Sequence, residues 1–316
     1  MAAALAALRK YQEAPRPAPP APMPALAEAG GAALRDYGGE GPAVLFVPSL
    51  INPPNVLDMG ERSLLRWLAR RGRRVLLLDW GWPGPDRRQI SVAGHVEEIL
   101  LPLLAGLGEP VDLVGYCLGG TMALAAARLG PARSVATLAA PWHFNGFPED
   151  SRASLARLWE GAQPAVAALG LLPMEVLQCA FWSLDPARTV AKFEAFSSLE
   201  GAEAETFVML EDWANDGPPI PEAAAREMFE SLFADDATGT GRWRVGGAIV
   251  DPAALGVPLL NIVSTTDRIV PAATAVRAGE RLDLALGHVG MVVGSRAKEA
   301  LWEPLAGWLS RTAASC

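Results

Sequence analysis

Residues 111–121, with the sequence VDLVGYCLGGT, restrict the fold of this chain more than any other segment. An apolar run suited to a buried strand breaks at Gly115, and a helix-forming run at residues 122–129 follows two more glycines. The spacing Gly-x-Cys-x-Gly at such a junction is typical of a sharp strand-to-helix turn that lifts a nucleophilic side chain, here the thiol of Cys117, above a sheet. Glycine suits a turn at which backbone segments approach too closely for a Cβ. The alternative interpretation is a buried cysteine without a chemical role.

Further apolar runs of strand length lie at residues 44–47, 75–80, 134–142, 258–267 and 283–286. Helix-forming segments separate several of them, at residues 62–71 and 92–107, and another ends the chain at residues 297–309. Continuous apolar strands that alternate with helices predict an α/β fold with a mostly parallel sheet covered by helices on both faces. Because such sheets bind ligands at the carboxyl ends of their strands, Cys117 lies where a site is expected.

The alternation of strands and helices stops between residues 143 and 247, where the sequence is mainly helical and rich in Trp and Phe. We predict that this segment is a cap inserted into a sheet domain made of residues 41–142 and 248–316. Most of its aromatic side chains are expected to form its core. Residues 1–40 are rich in Ala and Pro and are predicted to be an arm without a core, extended in a polyproline-type conformation near residues 15–22.

Charge and composition argue against several classes of protein. The formal net charge of −8 disfavours a nucleic-acid partner, and no apolar run is long enough to predict a transmembrane segment. Arg9 and Lys10 follow the short N-terminal apolar run instead of preceding it, which is the wrong order for a secretory signal and favours the cytoplasm. The three cysteines, an odd number, indicate a reducing compartment without a disulfide framework. Because no Cys or His pair has ligand spacing, we predict neither a metal nor a cofactor.

Asp267 and His288 follow two later predicted strands. Nucleophile, acid and histidine then occur in the order found in the catalytic triads of the α/β-hydrolase fold. A thiol with an ordinary pKa near ~8.5 is mostly protonated at neutral pH, so Cys117 needs a base, for which we choose His288, with Asp267 orienting its imidazole. His143 is the alternative base. Asp79 also follows a strand but precedes the nucleophile, which does not fit this order.

Acyl transfer also requires donors for an oxyanion and a surface for the substrate. The backbone N–H of Leu118 is the predicted first donor, and the second is expected near Leu50 or Ile51, in the loop after the first predicted strand. For contacts with the substrate the sequence suggests a set of side chains near strand ends, namely Tyr116, Trp142 and His143.

Several motifs in order make the chain resemble the catalytic domain of polyhydroxyalkanoate synthases, in particular the short kind that works with a separate partner subunit. The motifs lie at residues 52, 56–59, 63–64, 79–80, 115–121, 261–263, 266–271 and 287–290, within a stretch of residues 45–309. The resemblance implies catalytic roles for Cys117, Asp267 and His288. It implies polymerisation of (R)-3-hydroxyacyl-coenzyme A with release of coenzyme A. The chain departs from the family at Arg268, where many relatives have histidine, at residues 142–144, and in the absence of a long N-terminal domain.

This resemblance implies further partners: the polyester product, polymer granules and a separate subunit, while the aromatic residues of the cap suggest a surface for a homodimer. Two other functions remain open at this point. One is a cysteine hydrolase of polyesters or acyl thioesters on the same scaffold. The other is a non-catalytic subunit associated with granules or with a partner.

Overall fold

The computed structural model describes residues 2–16, 20–183 and 185–314. Within these residues one sheet contains eight strands: β1 (Ala25–Ala29), β2 (Ala32–Asp36), β3 (Ala43–Val47), β4 (Arg74–Asp79), β5 (Val111–Tyr116), β6 (Ala132–Leu138), β7 (Leu259–Ser264) and β8 (Glu280–Leu284). Their spatial order is β1-β2-β4-β3-β5-β6-β7-β8. β2 is antiparallel to both of its neighbours, and all other neighbouring pairs are parallel.

Helices in the described residues are α1 (Ala2–Glu13), α2 (Leu64–Ala69), α3 (residues 92–106), α4 (Leu118–Leu129), α5 (Glu149–Leu169), α6 (Met174–Ser183), α7 (Pro186–Phe196), α8 (Gly201–Asn215), α9 (residues 222–234), α10 (Gly290–Val293) and α11 (residues 298–314). α3, α9 and α11 each contain a π-helical segment, at His95–Leu100, Glu227–Ala234 and Lys298–Trp302. Single turns of 3-10 helix lie at Pro54–Leu57, Pro85–Arg87, Phe144–Gly146, Pro252–Ala254 and Ala272–Thr274.

The fully buried strand β3 shows how the sheet is covered. Val44 and Phe46 pack into one core cluster, and the alternating residues Leu45 and Val47 pack into another, because successive side chains of a strand point to opposite faces. α3 and α4 supply apolar side chains to the cluster around Leu45, and α2 and α11 supply them to the cluster around Phe46. The predicted mostly parallel sheet with helices on both faces is therefore confirmed.

Five helices, α5 to α9, occupy the segment predicted as a cap, and aromatic pairs join several of them. The rings of Trp159 and Phe229 stack with their centroids 5.1 Å apart, and those of Phe196 and Phe207 stack at 4.2 Å. Such pairs stabilise the packing of helices beyond the area they bury. The division of the chain into cap and core at residues 143 and 247 remains a prediction.

The N-terminal segment differs from the predicted arm. β1 and β2 belong to the main sheet, so residues 25–36 are part of the sheet domain and not of an arm. α1 docks on the cap: Ala7 is buried against Phe196 and Val208, and the ammonium of Lys10 donates to the carbonyl of Leu199 at 2.7 Å. The residues that α1 contacts lie more than 180 residues later in the chain, so the composition of the N-terminal segment does not predict these contacts. Residues 17–19, part of the predicted polyproline-type stretch, lie outside the described residues, as does Cys316.

Two predicted boundaries shift around the strand-to-helix turn at residues 115–119, which we call the elbow. The strand expected at residues 134–142 ends at Leu138, because Ala139 adopts a positive φ of 45° and turns the chain. α4 begins at Leu118, directly after Cys117, instead of after Gly120. Within the described residues, no helix combines the length and the apolar character needed to cross a membrane.

Candidate active site

Cys117 joins β5 to α4 in a strained conformation, with φ 56° and ψ −132°. A residue with a side chain is held in such a region at a cost of about 1–3 kcal/mol, which the surrounding structure must offset. Two hydrogen bonds hold it: its N–H donates to the carbonyl of Leu138 at 2.9 Å, and its carbonyl accepts from the N–H of Gly120 at 2.8 Å. The thiol is thereby fixed at the carboxyl end of the sheet and beside the N-terminus of α4.

Close backbone contacts explain the glycines around Cys117. A Cβ added to Gly115 would lie 2.4 Å from the Cα of Gly120, and one added to Gly119 would lie 2.1 Å from the carbonyl oxygen of Val47. Both distances are far below van der Waals contact. The turn therefore forms only with glycine at these two positions, which agrees with the interpretation of the sequence spacing.

Asp267 and His288 meet beside this turn. The Nδ1 of His288 donates to Oδ2 of Asp267 at 2.5 Å, and both side chains are buried. The other carboxylate oxygen, Oδ1, accepts from the N–H groups of Ile269 at 2.7 Å and Val270 at 3.0 Å, so the carboxylate is held on both sides. β7 and β8 carry these residues to the same edge of the sheet as β5 carries Cys117. The three residues predicted as a triad are thus brought together.

The environment of His288 favours its protonated form. Burial alone lowers the pKa of an imidazole, but here the charge of a Cys117 thiolate, hydrogen bonds to Asp267 and Cys117, and the charge of Asp267 raise the pKa of His288 to about 10. The imidazole can therefore take a proton from the thiol and keep it next to the sulfur. This is the property required of a base that activates a thiol.

Tyr116 lies against the imidazole, with ring centroids 4.9 Å apart, and its hydroxyl donates to the carbonyl of His288 at 3.2 Å. Burial, together with the charges of Cys117 and Asp267, raises the pKa of Tyr116 well above its usual range. The phenol stays protonated and continues to hold the loop that carries His288.

A cavity of about 490 Å³ opens above Cys117, between the carboxyl ends of the strands and helices α6 to α9. Its apolar wall is formed by residues from both parts, including Ile51, Val56, Phe144, Phe147, Phe181 and Trp182. Two ion pairs lie at the cavity: the ammonium of Lys192 donates to both carboxylate oxygens of Glu211, at 2.6 and 2.7 Å, and Arg268 pairs with Asp185. A mostly apolar cavity of this size with few polar groups suits an acyl group.

The predicted oxyanion donors fall in different places. Leu118 and Ile51 line the cavity, whereas the side chain of Leu50 is buried in the core. The N–H of Ile51 donates to the hydroxyl of Ser49 at 3.2 Å. As the first residue of α4, Leu118 carries an N–H that lacks a partner within the helix.

Tyr116 lines the cavity, and its contact with a substrate stays a prediction, whereas Trp142 and His143 are not among the described lining residues. Their N–H groups both donate to the carbonyl of Thr274, at 2.8 and 2.9 Å. Trp142 packs in the core against Trp243, with ring centroids 6.1 Å apart. The structure therefore contradicts the predicted role of Trp142 and His143, and Phe144 and Phe147 lie at the cavity instead.

His288, and not the alternative base His143, forms the hydrogen bond with the Cys117 thiol. Lys192 and Glu211 line the cavity but were not predicted to do so. They lie in helical segments without a motif, and such a sequence does not show which side of the helix faces the cavity. Among the described residues, no group of three or more His, Cys, Asp or Glu side chains could hold a metal ion.

Comparison with known proteins agrees with this geometry. Residues 44–303 match the model of the alpha/beta hydrolase family. "Poly(3-hydroxyalkanoate) polymerase subunit PhaC" of Haloferax mediterranei is 26% identical over 291 residues, which cover 84% of this chain and 58% of that protein. The protein of the same name from Synechocystis is 27% identical over 294 residues, covering 84% of this chain and 77% of that protein. The chain thus spans less than two thirds of the first of these relatives.

Solved structures add evidence for the fold alone. A thermophilic esterase from Thermogutta terrifontis superposes with a TM-score of 0.57 at 17% identity, covering 90% of this chain and 98% of that one. The resemblance to polyhydroxyalkanoate synthases seen in the sequence motifs is confirmed by the relatives. From its sheet order, its elbow and the match over residues 44–303, the chain belongs to the alpha/beta hydrolase family.

Proposed function

We propose that the chain is an acyltransferase that polymerises (R)-3-hydroxyacyl-coenzyme A into polyhydroxyalkanoate through an acyl group on Cys117. One observation carries the proposal: a cysteine occupies the strained elbow beside the buried pair of His288 and Asp267. The relatives named poly(3-hydroxyalkanoate) polymerase subunits supply the substrate class. Thiolate chemistry explains the residue type, since exchange of one thioester for another is nearly balanced in energy.

In the first step His288 takes the proton of the Cys117 thiol, and the sulfur attacks the thioester carbonyl. The N–H of Leu118 and a second N–H from the loop at residues 48–52 stabilise the negative oxygen of the intermediate. The carbon–sulfur bond to coenzyme A then breaks. His288 returns its proton to the departing thiol, leaving an acyl group on Cys117.

In the second step a hydroxyl group, from another 3-hydroxyacyl unit or from the end of a chain, gives its proton to His288 and attacks the acyl group on Cys117. An ester bond forms, the bond to sulfur breaks, and the proton on His288 restores the thiol. Asp267 keeps Nδ1 of the imidazole protonated, so that Nε2 stays available in both steps. The apolar cavity under the cap favours this attack over attack by water.

Partners extend the proposal. The word subunit in the relatives' names supports a separate partner subunit for this chain, and the polyester product supports association with granules. Apolar side chains on the cap surface, Trp182, Val190 and Met209, support a homodimer through the cap.

The test combines purified protein with 3-hydroxybutyryl-coenzyme A and follows thiol release together with turbidity. Polymer with thiol release is the expected result, and thiol release with only free acid would favour the hydrolase. Neither signal, even with candidate partner subunits added, would favour a non-catalytic role. Cys117→Ala should abolish all activity, whereas Cys179→Ala, outside the cavity, should retain it. Activity in Cys117→Ala would overturn the proposal.

A further inference from the structure

We propose that Asn52 is a positioning residue that couples closure of the cap to alignment of the oxyanion loop, which we define as residues 48–52. The inference rests on the acyl transfer proposed above and explains how the second oxyanion donor is held. The loop joins the carboxyl end of β3 to the turn at Pro54–Leu57, and its far side faces the cap.

Asn52 fastens this loop to the end of cap helix α8. Its amide Nδ2 lies within hydrogen-bonding distance of three carbonyl oxygens, 3.1 Å from that of Asp216 and 3.4 Å from those of Trp213 and Ala214. The last carbonyls of a helix have no partner within the helix, so an amide from another element can bind them. The side chain of Asn52, from the loop after β3, thus binds carbonyl groups at the C-terminus of α8.

Two further contacts join the same segments. The indole Nε1 of Trp213 donates to the carbonyl of Pro53 at 2.8 Å. A Cβ added to Gly217, just beyond α8, would lie 2.5 Å from the carbonyl oxygen of Ile51, so the two backbones touch. The oxyanion loop and the end of α8 therefore move as one unit. They can separate only if all these contacts are lost.

The other side of the loop rests on the elbow. A Cβ on Gly119 would lie 2.5 Å from the carbonyl oxygen of Pro48, and the indole of Trp80 donates to that same oxygen at 3.0 Å. The loop is thus held between α4, which carries the N–H of Leu118, and α8. A displacement at the α8 end changes the distance between the loop's N–H groups and the N–H of Leu118, on which the strength of an oxyanion hole depends.

The same end of α8 forms part of the cavity wall through Glu211, Trp213 and Ala214. A substrate seated in the cavity therefore presses on the helix that sets the loop. If this end of α8 moves away from the loop, the contacts of Asn52 break and the oxyanion donors lose their alignment. An acyl group on Cys117 is then poorly activated while water has access, and fully activated when the cap excludes water.

The experiment compares two reactions of Cys117. Acylation by p-nitrophenyl butyrate passes through an oxyanion, whereas alkylation by iodoacetamide needs the thiolate but no oxyanion. In Asn52→Ala we expect the maximal rate of acylation to fall by about 10- to 100-fold, with little change in KM. The upper end of this range is the loss in rate expected when one oxyanion donor is removed. Alkylation should stay within about twofold of wild type, since the pairing of Cys117 with His288 is untouched.

Lys10 offers a matched control. Its ammonium also donates to three carbonyls at the end of a cap helix, those of Phe196, Ser197 and Leu199 at 3.3, 3.1 and 2.7 Å, but it does not touch the oxyanion loop. Lys10→Ala should leave acylation within about threefold of wild type. Gly217→Ala, which pushes the loop and α8 apart, should reproduce the defect of Asn52→Ala.

Three results would overturn the coupling: wild-type acylation in Asn52→Ala, an equal fall of acylation and alkylation, or an equal loss in Lys10→Ala. The ester probe separates this test from the polymerase proposal. A wild-type protein that is acylated by the ester but neither releases coenzyme A nor forms polymer refutes the polymerase and leaves the coupling measurable. A wild-type protein that is neither acylated by the ester nor able to release coenzyme A refutes both.

Discussion

Replacing Asp267 by Asn should inactivate the enzyme by reversing the polarity of one hydrogen bond. The Oδ1 of Asp267 accepts from the N–H groups of Ile269 and Val270, while Oδ2 accepts from Nδ1 of His288. In Asp267→Asn the two backbone N–H groups keep the amide oxygen on their side. The NH2 group must then face Nδ1 of His288, which forces the imidazole proton onto Nε2.

An imidazole with its proton on Nε2 cannot accept the proton of Cys117. The change also removes two of the causes that raise the pKa of His288, the hydrogen bond to Asp267 and its negative charge. The expected loss in kcat is about 10⁴-fold, as in triads in which the same exchange fixes the wrong tautomer, or about 5 kcal/mol of barrier. The hydrogen bonds of the amide oxygen remain, so the free energy of unfolding should change far less.

Single-turnover acylation by p-nitrophenyl butyrate measures this loss, and thermal unfolding checks that the variant is folded. Asp283→Asn serves as the matched control, because Asp283 is an exposed carboxylate of β8 that pairs with Arg281. It should retain the wild-type rate. A folded Asp267→Asn protein that acylates within tenfold of wild type would show that Asp267 does not set the tautomer of His288.

Three more predictions concern stability. Burial lowers the pKa of His95 from 6.5 to about 4, so its imidazole is neutral in the folded state and gains a proton more readily in the unfolded state. The free energy of unfolding should therefore fall by up to about 2.5 kcal/mol as the pH falls from above 6.5 to about 4.5. Urea unfolding should show this loss in wild type and not in His95→Gln. Gly119→Ala places a Cβ 2.1 Å from the carbonyl oxygen of Val47 and should cost about 1–3 kcal/mol in urea unfolding while slowing acylation; an unchanged variant would contradict the close approach. Asp112→Ala leaves the buried Arg73 guanidinium without its carboxylate partner and should cost about 3–5 kcal/mol, and a loss below about 1 kcal/mol in urea unfolding would refute this.

The elbow and its partners could be predicted because their chemistry fixes residue types in chain order. Gly115 and Gly119 have no substitute where backbones approach within van der Waals contact, and an acid and a histidine must follow at later strand ends. These requirements concern neighbouring residues or the order of residues along the chain, so they can be recognised in a single sequence. The meeting of Asp267 with His288 needed only that parallel strands end at one edge of the sheet.

The rest depends on contacts that the sequence does not display. β1 is an edge strand of sequence ALAEA in which Ala25, Leu26 and Glu28 are exposed, so it lacks the buried apolar run that marked the other strands. α1 is held by side chains of α7 and α8, and the side chain of Trp142 packs against Trp243, about 100 residues later in the chain. The role inferred for Asn52 depends in the same way on α8, more than 160 residues downstream.

The docking of α1 also sets an order of assembly during synthesis. Lys10 binds the carbonyl of Phe196, 186 residues later in the chain, and Arg16 pairs with Asp212, 196 residues later. At a translation rate of about 5–20 residues per second, α1 waits about 10–40 s on the ribosome before its docking surface exists. Strands β1 to β6 are therefore synthesised before α1 can dock, whereas β7 and β8, at residues 259–284, are synthesised after its docking surface.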